Sequence, residues 1–149
     1  MSNDQTVERQ EERALVTYTK LMRAADSTSL RLQRGVMSRE RLTESQVQAL
    51  RALRVQGSLT HSELSRELGK TGGNITLVID NLEKRALVER VRNPEDRRSV
   101  SVYLTPSGEE LIDKVFPHLL EEIAEEMSAL TVSEQEELRR LCRKLHRCP

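Results

Sequence analysis

Aromatic residues, cysteines and long apolar runs are all scarce in this sequence of 149 residues. Aromatic residues make up 2% of the chain, and its two cysteines, Cys142 and Cys148, are too few and too local to form a disulfide scaffold. No apolar run approaches the roughly 18–20 residues of a membrane-spanning helix. The acidic, polar start of the chain is also unlike a secretory signal. These absences predict a cytoplasmic protein with no membrane segment.

Signatures of catalysis and of metal binding are missing as well. The sequence has no Gly-rich phosphate loop, no nucleophile elbow and no paired carboxylate–histidine cluster, so we do not expect an enzyme. Its three histidines, His61, His118 and His146, are scattered, and no Cys/His pair has the spacing of a zinc site. We therefore predict neither a metal nor a cofactor.

The net charge is zero, which taken alone argues against a nucleic-acid partner. The charges are nevertheless unevenly placed. Residues 51–98 carry ten basic and seven acidic side chains, whereas residues 99–149 carry six basic and ten acidic ones. A basic middle segment suits an acidic partner, and a charged face that only meets water is the alternative explanation.

Helix start signals recur along the chain. Three segments place Thr three residues before Gln or Glu, the capping-box pattern that satisfies free N–H groups at a helix start; they are TESQ (43–46), THSE (60–63) and TVSE (131–134). Thr105 followed by Pro106 indicates a fourth start. With the apolar periodicity, these signals predict helices at about 7–34, 44–57, 60–68, 71–85, 106–128 and 132–147.

The long first helix and the last two helices predict a homodimer. A monomer of this size has little core to offer so many amphipathic helices, and intertwining them with a second copy would bury them. A bundle within one chain is the weaker alternative. The apolar positions at helical spacing are Val115, Leu119, Ile123 and Met127, and then Leu138, Leu141 and Leu145.

Residues 59–87 show the spacing of a helix-turn-helix. Leu64 and Leu68 would face inward from a short helix, Gly69 permits a sharp turn, and a longer recognition helix (about 71–85) follows. Two helices that merely pack together have the same spacing, so this feature alone is weak evidence. The apolar stripe of the recognition helix consists of Ile75, Val78, Ile79 and Leu82.

The outward side of the recognition helix offers small polar groups to a nucleic acid. Asn and Thr side chains can hydrogen-bond to base edges, and an outward Leu can touch a thymine methyl group. Glycine in the first turn leaves room for close approach. The DNA-contacting residues that we predict on this helix are Thr71, Gly73, Asn74, Thr76 and Leu77.

Two alternating segments, at about 87–92 and 99–104, predict strands on either side of the tip NPEDRR (93–98). A basic hairpin directly after a helix-turn-helix is the winged-helix arrangement, in which an inserted Arg gains most in the narrow minor groove. The tip carries two arginines, Arg97 and Arg98, as candidates for that contact and for contact with a phosphate. Asp96 can pair with one arginine and so fix its side chain. A solvated charged turn is the alternative.

The predicted fold is mainly α with a small β component (α+β), in a single compact chain. Its centre, residues 41–105, is a winged helix-turn-helix DNA-binding region that includes the wing at about 87–104. Residues 1–40 form an N-terminal dimerisation helix, and residues 106–149 form C-terminal dimerisation helices. Together the flanking helices would make an intertwined homodimer.

The sequence resembles the MarR family of bacterial transcription regulators over nearly its whole length. The most specific stretch is 72–111, which includes the family's wing signature Asp-x-Arg followed by Leu-Thr, here Asp96, Arg98, Leu104 and Thr105. The resemblance implies a homodimer that binds a palindromic double-stranded DNA operator near its own gene. It also implies that Arg98 enters the minor groove and that Asp96 orients it. Repression is the simplest action expected of such a dimer.

Two positions depart from the family's pattern. Leu77 stands where Arg is common, so an operator preference cannot be carried over. Ala86 stands where Gly is usual, just before the wing. That exchange predicts an unusual or slightly strained backbone at this helix end.

The resemblance further implies a small aromatic or phenolic effector that binds between the dimer helices and the helix-turn-helix and releases the DNA. Arg51 and His118 are candidate partners for its carboxylate or phenolate. The segments GGNITLVIDNLEKR and LIDKVFPHLLEEI are similar to the branch that responds to quinones and related electrophiles, so a thiol-based redox sensor using Cys142 and Cys148 is an alternative. A winged-helix module that binds proteins without specific DNA binding is another.

Overall fold

The computed structural model describes residues 3–146, and that range contains six α-helices and three short β-strands. In chain order they are α1 (Asn3–Leu32), α2 (Glu44–Gln56), β1 (Ser58–Thr60), α3 (His61–Leu68), α4 (Gly72–Lys84), β2 (Val88–Arg92), β3 (Val100–Leu104), α5 (Pro106–Met127) and α6 (Val132–Leu145). A π-helical turn, Gln33–Met37, follows α1 directly. Within the described residues, no helix is both long and apolar enough to cross a bilayer. The predicted mainly α fold is confirmed.

Local capping fixes where most helices begin. Each capping Thr hydroxyl accepts the N–H three residues on, and the Gln or Glu side chain there accepts the N–H of the Thr in return; the pairs are Thr43–Gln46, Thr60–Glu63 and Thr131–Glu134. Thr71 and Thr105 cap α4 and α5 in the simpler one-way form. Because these contacts span three residues, the sequence alone predicts the starts.

The sheet contains a third strand that the sequence did not predict. β3 lies in the centre and pairs antiparallel with both neighbours, in the order β1–β3–β2. Leu59 of β1 pairs with Val102, and Val88 of β2 pairs with Leu104. β1 is only three residues long and buries only Leu59, so its pattern is too short to show the alternation of a strand.

The hydrophobic core lies between α2, α4, α5 and the inner face of the sheet. The predicted stripe of α4 is buried in it, as are Leu50 and Leu53 of α2. The sequence analysis predicted that Val115 and Leu119 are buried between the helices of the two protomers. In the structure both are buried in the core of the single chain. That prediction is wrong for these two residues, because α5 packs against α2 of its own chain.

Apolar side chains remain exposed along α1 and α6 in the single chain. Leu15 is 63% exposed and Leu145 is 65% exposed. Soluble proteins rarely leave such apolar rows open to water unless a partner covers them. The other members of these rows are Val16, Tyr18, Leu21, Met22 and Leu30 on α1, and Leu138 and Leu141 on α6.

α1 ends at Leu32, two residues before the predicted boundary, and the π-helical turn that follows it contains a break in the backbone. Gly35, inside the π-helical turn, has non-helical angles (φ −85°, ψ −134°). The N–H of Val36 donates instead to the carboxylate of Glu122 on α5, at 2.9 Å. The cause is therefore a tertiary contact, which the local sequence pattern does not contain.

Candidate nucleic-acid interface

The start of α4 is open toward solvent. The hydroxyl of Thr71 accepts the N–H of Asn74 at 3.4 Å, so the cap is made by a small side chain. A Cβ atom added to Gly72 or Gly73 would meet no atom within 4 Å. Nothing in the fold therefore requires glycine at these positions for packing, and both leave space for a ligand to approach the helix closely.

The outward side chains of α4 are small or apolar and are exposed. Leu77 is 62% exposed, and Asn74 and Thr76 are exposed beside it. The hydroxyl of Thr76 donates to the carbonyl of Gly72 at 3.0 Å, so it can still accept a hydrogen bond from outside. This surface can thus present one amide, one hydroxyl and one apolar group to base edges.

The turn between α3 and α4 is held firmly. Gly69 has φ +61°, a left-handed conformation that favours glycine. The N–H of Lys70 donates to the carbonyl of Ser65 at 3.0 Å, and the hydroxyl of Ser65 donates to the carbonyl of Lys70. Leu64 is buried and Leu68 is partly buried, as the helix-turn-helix spacing predicts.

The wing tip is built from two side chain–backbone turns. Asn93 Oδ1 accepts the N–H of Glu95 at 3.0 Å, and Asp96 Oδ1 accepts the N–H of Arg98 at 3.0 Å. The sequence analysis suggested that Asp96 can pair with an arginine side chain; among the described residues its carboxylate accepts a backbone N–H instead, and its role in orienting Arg98 stays a prediction. An Asp two residues before an N–H closes such a turn readily, so Asp96 fixes the backbone while Arg97 and Arg98 extend into solvent.

The predicted backbone irregularity before the wing is confirmed. Ala86 has φ +57°, in the left-handed region where a Cβ is disfavoured. Its N–H donates to the carbonyl of Glu83 at 2.9 Å, and its carbonyl accepts the hydroxyl of Thr105 at 2.6 Å. The surrounding hydrogen bonds therefore hold alanine in a conformation that glycine would adopt without strain.

Arg90 of β2 joins the wing to the helix-turn-helix, a role that the sequence analysis missed. Its Nη2 lies 2.5 Å from Asp80 Oδ1, and its Nη1 donates to Glu83; both acids belong to α4. Its Nε donates to Nε2 of His61 on α3, at 3.3 Å. The sequence did contain a signal for this contact. It consists of two acids three residues apart on one helix, followed by an Arg on the next strand.

The environment of His61 disfavours its protonation. Burial lowers the pKa of this imidazole, and the positive charge of Arg90 lowers it further. Asp80 and Glu83 act in the opposite direction but less strongly. The neutral imidazole can therefore serve as the acceptor for Arg90.

A cavity of about 530 Å³ lies between the end of α1, α2, α3 and α5. Arg51 lines this cavity, and its guanidinium lies 4.7 Å from the centre of the Phe116 ring, which lines the cavity as well. His118 does not line it: its imidazole is 60% exposed and lies 3.8 Å from Glu121 on the surface of α5. The structure therefore brings one of the two predicted effector partners to a cavity and leaves the other outside.

Of the two cysteines, Cys142 is a free thiol exposed on α6. Cys148 lies outside the described residues. The redox interpretation of this pair stays a prediction.

Comparison with known proteins gives consistent matches. The sequence profile of the MarR family matches residues 42–100, from just before α2 to the start of β3. The transcriptional repressor MprA of Escherichia coli is 32% identical over 132 residues, which cover 87% of this chain and 75% of MprA.

Two solved structures show the same architecture. A MarR mutant from Escherichia coli complexed with operator DNA gives a TM-score of 0.81 at 26% identity, covering 90% of this chain and 96% of that one. BpsR of Bordetella bronchiseptica, whose DNA binding is regulated by 6-hydroxynicotinic acid, gives a TM-score of 0.80 at 26% identity, covering 88% and 98%.

Proposed function

The chain belongs to the MarR family, and we propose that it is a homodimeric transcriptional repressor that binds double-stranded operator DNA and is released by a small-molecule effector. The observation that carries this proposal is the pairing of an open, exposed recognition helix with a basic wing tip on the same winged helix-turn-helix. The MarR structure of similar fold contains operator DNA. The relative MprA is a repressor.

In this proposal α4 enters the major groove. Asn74 and Thr76 hydrogen-bond to base edges, and Leu77 contacts a thymine methyl group. The open turn at Gly73, with the cap at Thr71, lets the helix start approach the DNA backbone.

The wing reaches the neighbouring minor groove. Arg98 inserts there, where narrow walls concentrate negative potential, and Arg97 contacts a phosphate. The turn closed by Asp96 fixes the backbone from which Arg98 projects. The wing therefore supplies affinity, whereas α4 supplies most of the sequence preference.

A second copy of the chain completes the operator-binding unit. The exposed apolar rows of α1 and α6 are suited to mutual burial, and a two-fold dimer presents two recognition helices to a palindrome. We place the protein in the cytoplasm, where operator DNA is found, and assign it no catalytic role.

The effector would occupy the cavity beside Arg51 and Phe116. A planar aromatic acid fits this pair, because its ring can stack on Phe116 while its carboxylate faces the guanidinium. The cavity touches α2 and α3, so a ligand there can shift the helix-turn-helix relative to α1 and α5. BpsR, which is regulated by 6-hydroxynicotinic acid, has the same fold.

The decisive experiment is a fluorescence titration of the protein against DNA from upstream of its own gene, at several salt concentrations. Affinity should fall steeply with salt because bound phosphates release counterions. Arg98→Ala should weaken binding and reduce the salt slope by about one for each protomer of the bound dimer. Arg54→Ala is the matched control, since Arg54 pairs with Asp113 on α5 at 2.9 Å, away from the interface.

If the DNA affinity changes neither with salt concentration nor with Arg98→Ala, the proposal is contradicted and a protein-docking module is favoured. A variant that lacks both cysteines separates the two modes of release. If quinone or peroxide still releases the DNA from that variant, thiol sensing is excluded and a reversible ligand is left.

A further inference from the structure

We propose that Arg90 is a positioning residue, which sets the place of the wing tip relative to the recognition helix and so delivers Arg98 to the DNA. This inference rests on the proposed function, because it concerns how two DNA-contacting elements reach adjacent grooves together. Arg90 itself lies at the base of the wing and need not touch DNA.

Three structural elements meet at the guanidinium of Arg90. On α4 it binds Asp80, at 2.5 Å, and Glu83, which lies one turn further along the same face. On α3 it donates to His61 at 3.3 Å. The Arg90 side chain is 23% exposed, so these contacts are partly shielded from water and salt. The planar fork of Arg directs its donors at all three acceptors at once.

The position of Arg90 on β2 makes these contacts mechanically important. Arg90 pairs with Val102 near the base of the hairpin, and residues 91–98 beyond it are exposed. β2 continues for two residues beyond Arg90 and the turn adds about two more, so at about 3.3 Å per extended residue the tip lies up to roughly 13 Å beyond Arg90. A tilt of about 15° at the base would then move the tip by roughly 3 Å, which is enough to lose a hydrogen bond.

Charge neutralisation is a second effect of the same contacts, and it must be separated from positioning. Asp80 lies one turn after Leu77 on α4, and its side chain is 44% exposed. Without Arg90, Asp80 and Glu83 would repel phosphates. A loss of affinity in an Arg90 variant is therefore not sufficient evidence of positioning.

The test is a double-mutant cycle between Arg90 and Arg98, measured as operator affinity. In the natural background, Arg98→Ala should weaken binding about ten- to hundredfold. In an Arg90→Met background the same substitution should weaken binding less than about threefold, because the wing no longer delivers Arg98. An equal loss in both backgrounds would overturn the inference and leave the proposed function intact.

A charge-balanced variant separates the two effects. Asp80→Asn, Glu83→Gln and Arg90→Met together remove the acidic and the basic partners. Positioning predicts that this variant stays as weak as Arg90→Met and equally insensitive to Arg98→Ala. Recovery of natural affinity would show that Arg90 acts by neutralisation alone. Arg54→Met, which breaks the pair with Asp113, should leave both affinity and the effect of Arg98→Ala unchanged.

A DNA-independent measurement covers the case in which Arg90→Met folds poorly or operator binding is absent. Amide hydrogen exchange of residues 89–103 should accelerate in an Asp80→Asn, Glu83→Gln variant, in which Arg90 is kept but loses its charged partners. Exchange in α5 should stay unchanged. Unaltered exchange in the wing would overturn the inference, whereas absence of operator binding by the natural chain would overturn the proposed function.

Discussion

Gly73→Ala should raise stability and lower DNA affinity at the same time. A Cβ at this position meets no atom within 4 Å, so alanine introduces no clash. Gly73 lies in the first turn of α4, and alanine is favoured over glycine in a helix by about 0.5–1 kcal/mol. We therefore expect the free energy of unfolding to rise by roughly 0.5 kcal/mol, since the preference is weaker at a helix end.

The same methyl group occupies the space that we assign to the DNA backbone. In the complex it would push α4 outward, and an affinity loss of about tenfold corresponds to about 1.4 kcal/mol. The two effects have opposite signs, which a substitution that merely damages the fold cannot produce. Glycine at this position would then be explained by binding and not by folding.

Urea denaturation followed by circular dichroism gives the stability, and fluorescence anisotropy with operator DNA gives the affinity. Gly108→Ala is the contrasting control, because its Cβ would lie 2.0 Å from the backbone oxygen of Leu87 and should destabilise the protein. If Gly73→Ala loses stability, or keeps full affinity for DNA, the open-approach argument for α4 is refuted.

Three further substitutions have defined outcomes. Ala86→Gly should stabilise the protein by about 0.5–1 kcal/mol in urea denaturation, because relief of left-handed strain exceeds the added chain entropy of glycine; a loss of stability would contradict this. The pKa of His61 in the folded protein lies below its usual value of 6.5. The part of the folding stability that requires neutral His61 should therefore be fully present above about pH 6.5. Because the unfolded chain binds the extra proton, this contribution should be lost as the pH falls from about 6.5 toward the folded pKa, and His61→Gln should flatten that dependence in denaturation curves; an unchanged slope would refute it. Arg51→Met should weaken benzoate binding about tenfold in calorimetry but leave a neutral phenol unaffected, since only the carboxylate needs the guanidinium; an equal loss for both ligands would show that Arg51 only shapes the cavity.

Features set by a few neighbouring residues were predictable from the sequence. The capping boxes at Thr43 and Thr60 each involve contacts over three residues, and the stripe of α4 follows from helical periodicity. The unusual conformation of Ala86 was predictable because glycine is usual there in the family. In each case the determining contact is local, so one segment contains the whole signal.

Features set by tertiary contacts were not predictable in the same way. The backbone breaks at Gly35, in the π-helical turn after α1, where Glu122, 87 positions later, accepts the N–H of Val36. The sequence suggested a side-chain pair for Asp96, whereas in the structure its carboxylate accepts the N–H of Arg98, a choice that the order of residues does not reveal. His118 lies on α5, the helix that lines the cavity, as the sequence analysis expected. Its side chain, however, is on the side of α5 that faces solvent and not on the side that faces the cavity.

The zero net charge at first argues against a DNA-binding protein. The distribution of the charges along the chain is nevertheless compatible with DNA binding. The acidic excess belongs to residues 99–149, a range that includes β3, α5 and α6 but not the recognition helix or the wing-tip arginines. On the recognition helix itself, Asp80 and Glu83 both pair with Arg90, and Lys84 supplies the second positive charge that balances them. Arg97 and Arg98 at the wing tip are left exposed to solvent. Because screening limits electrostatic attraction to about 8 Å at physiological salt, DNA at the wing responds to this local excess and not to the distant helices. Net charge is therefore a poor guide to the partner here, and the local pairing of charges is a better one.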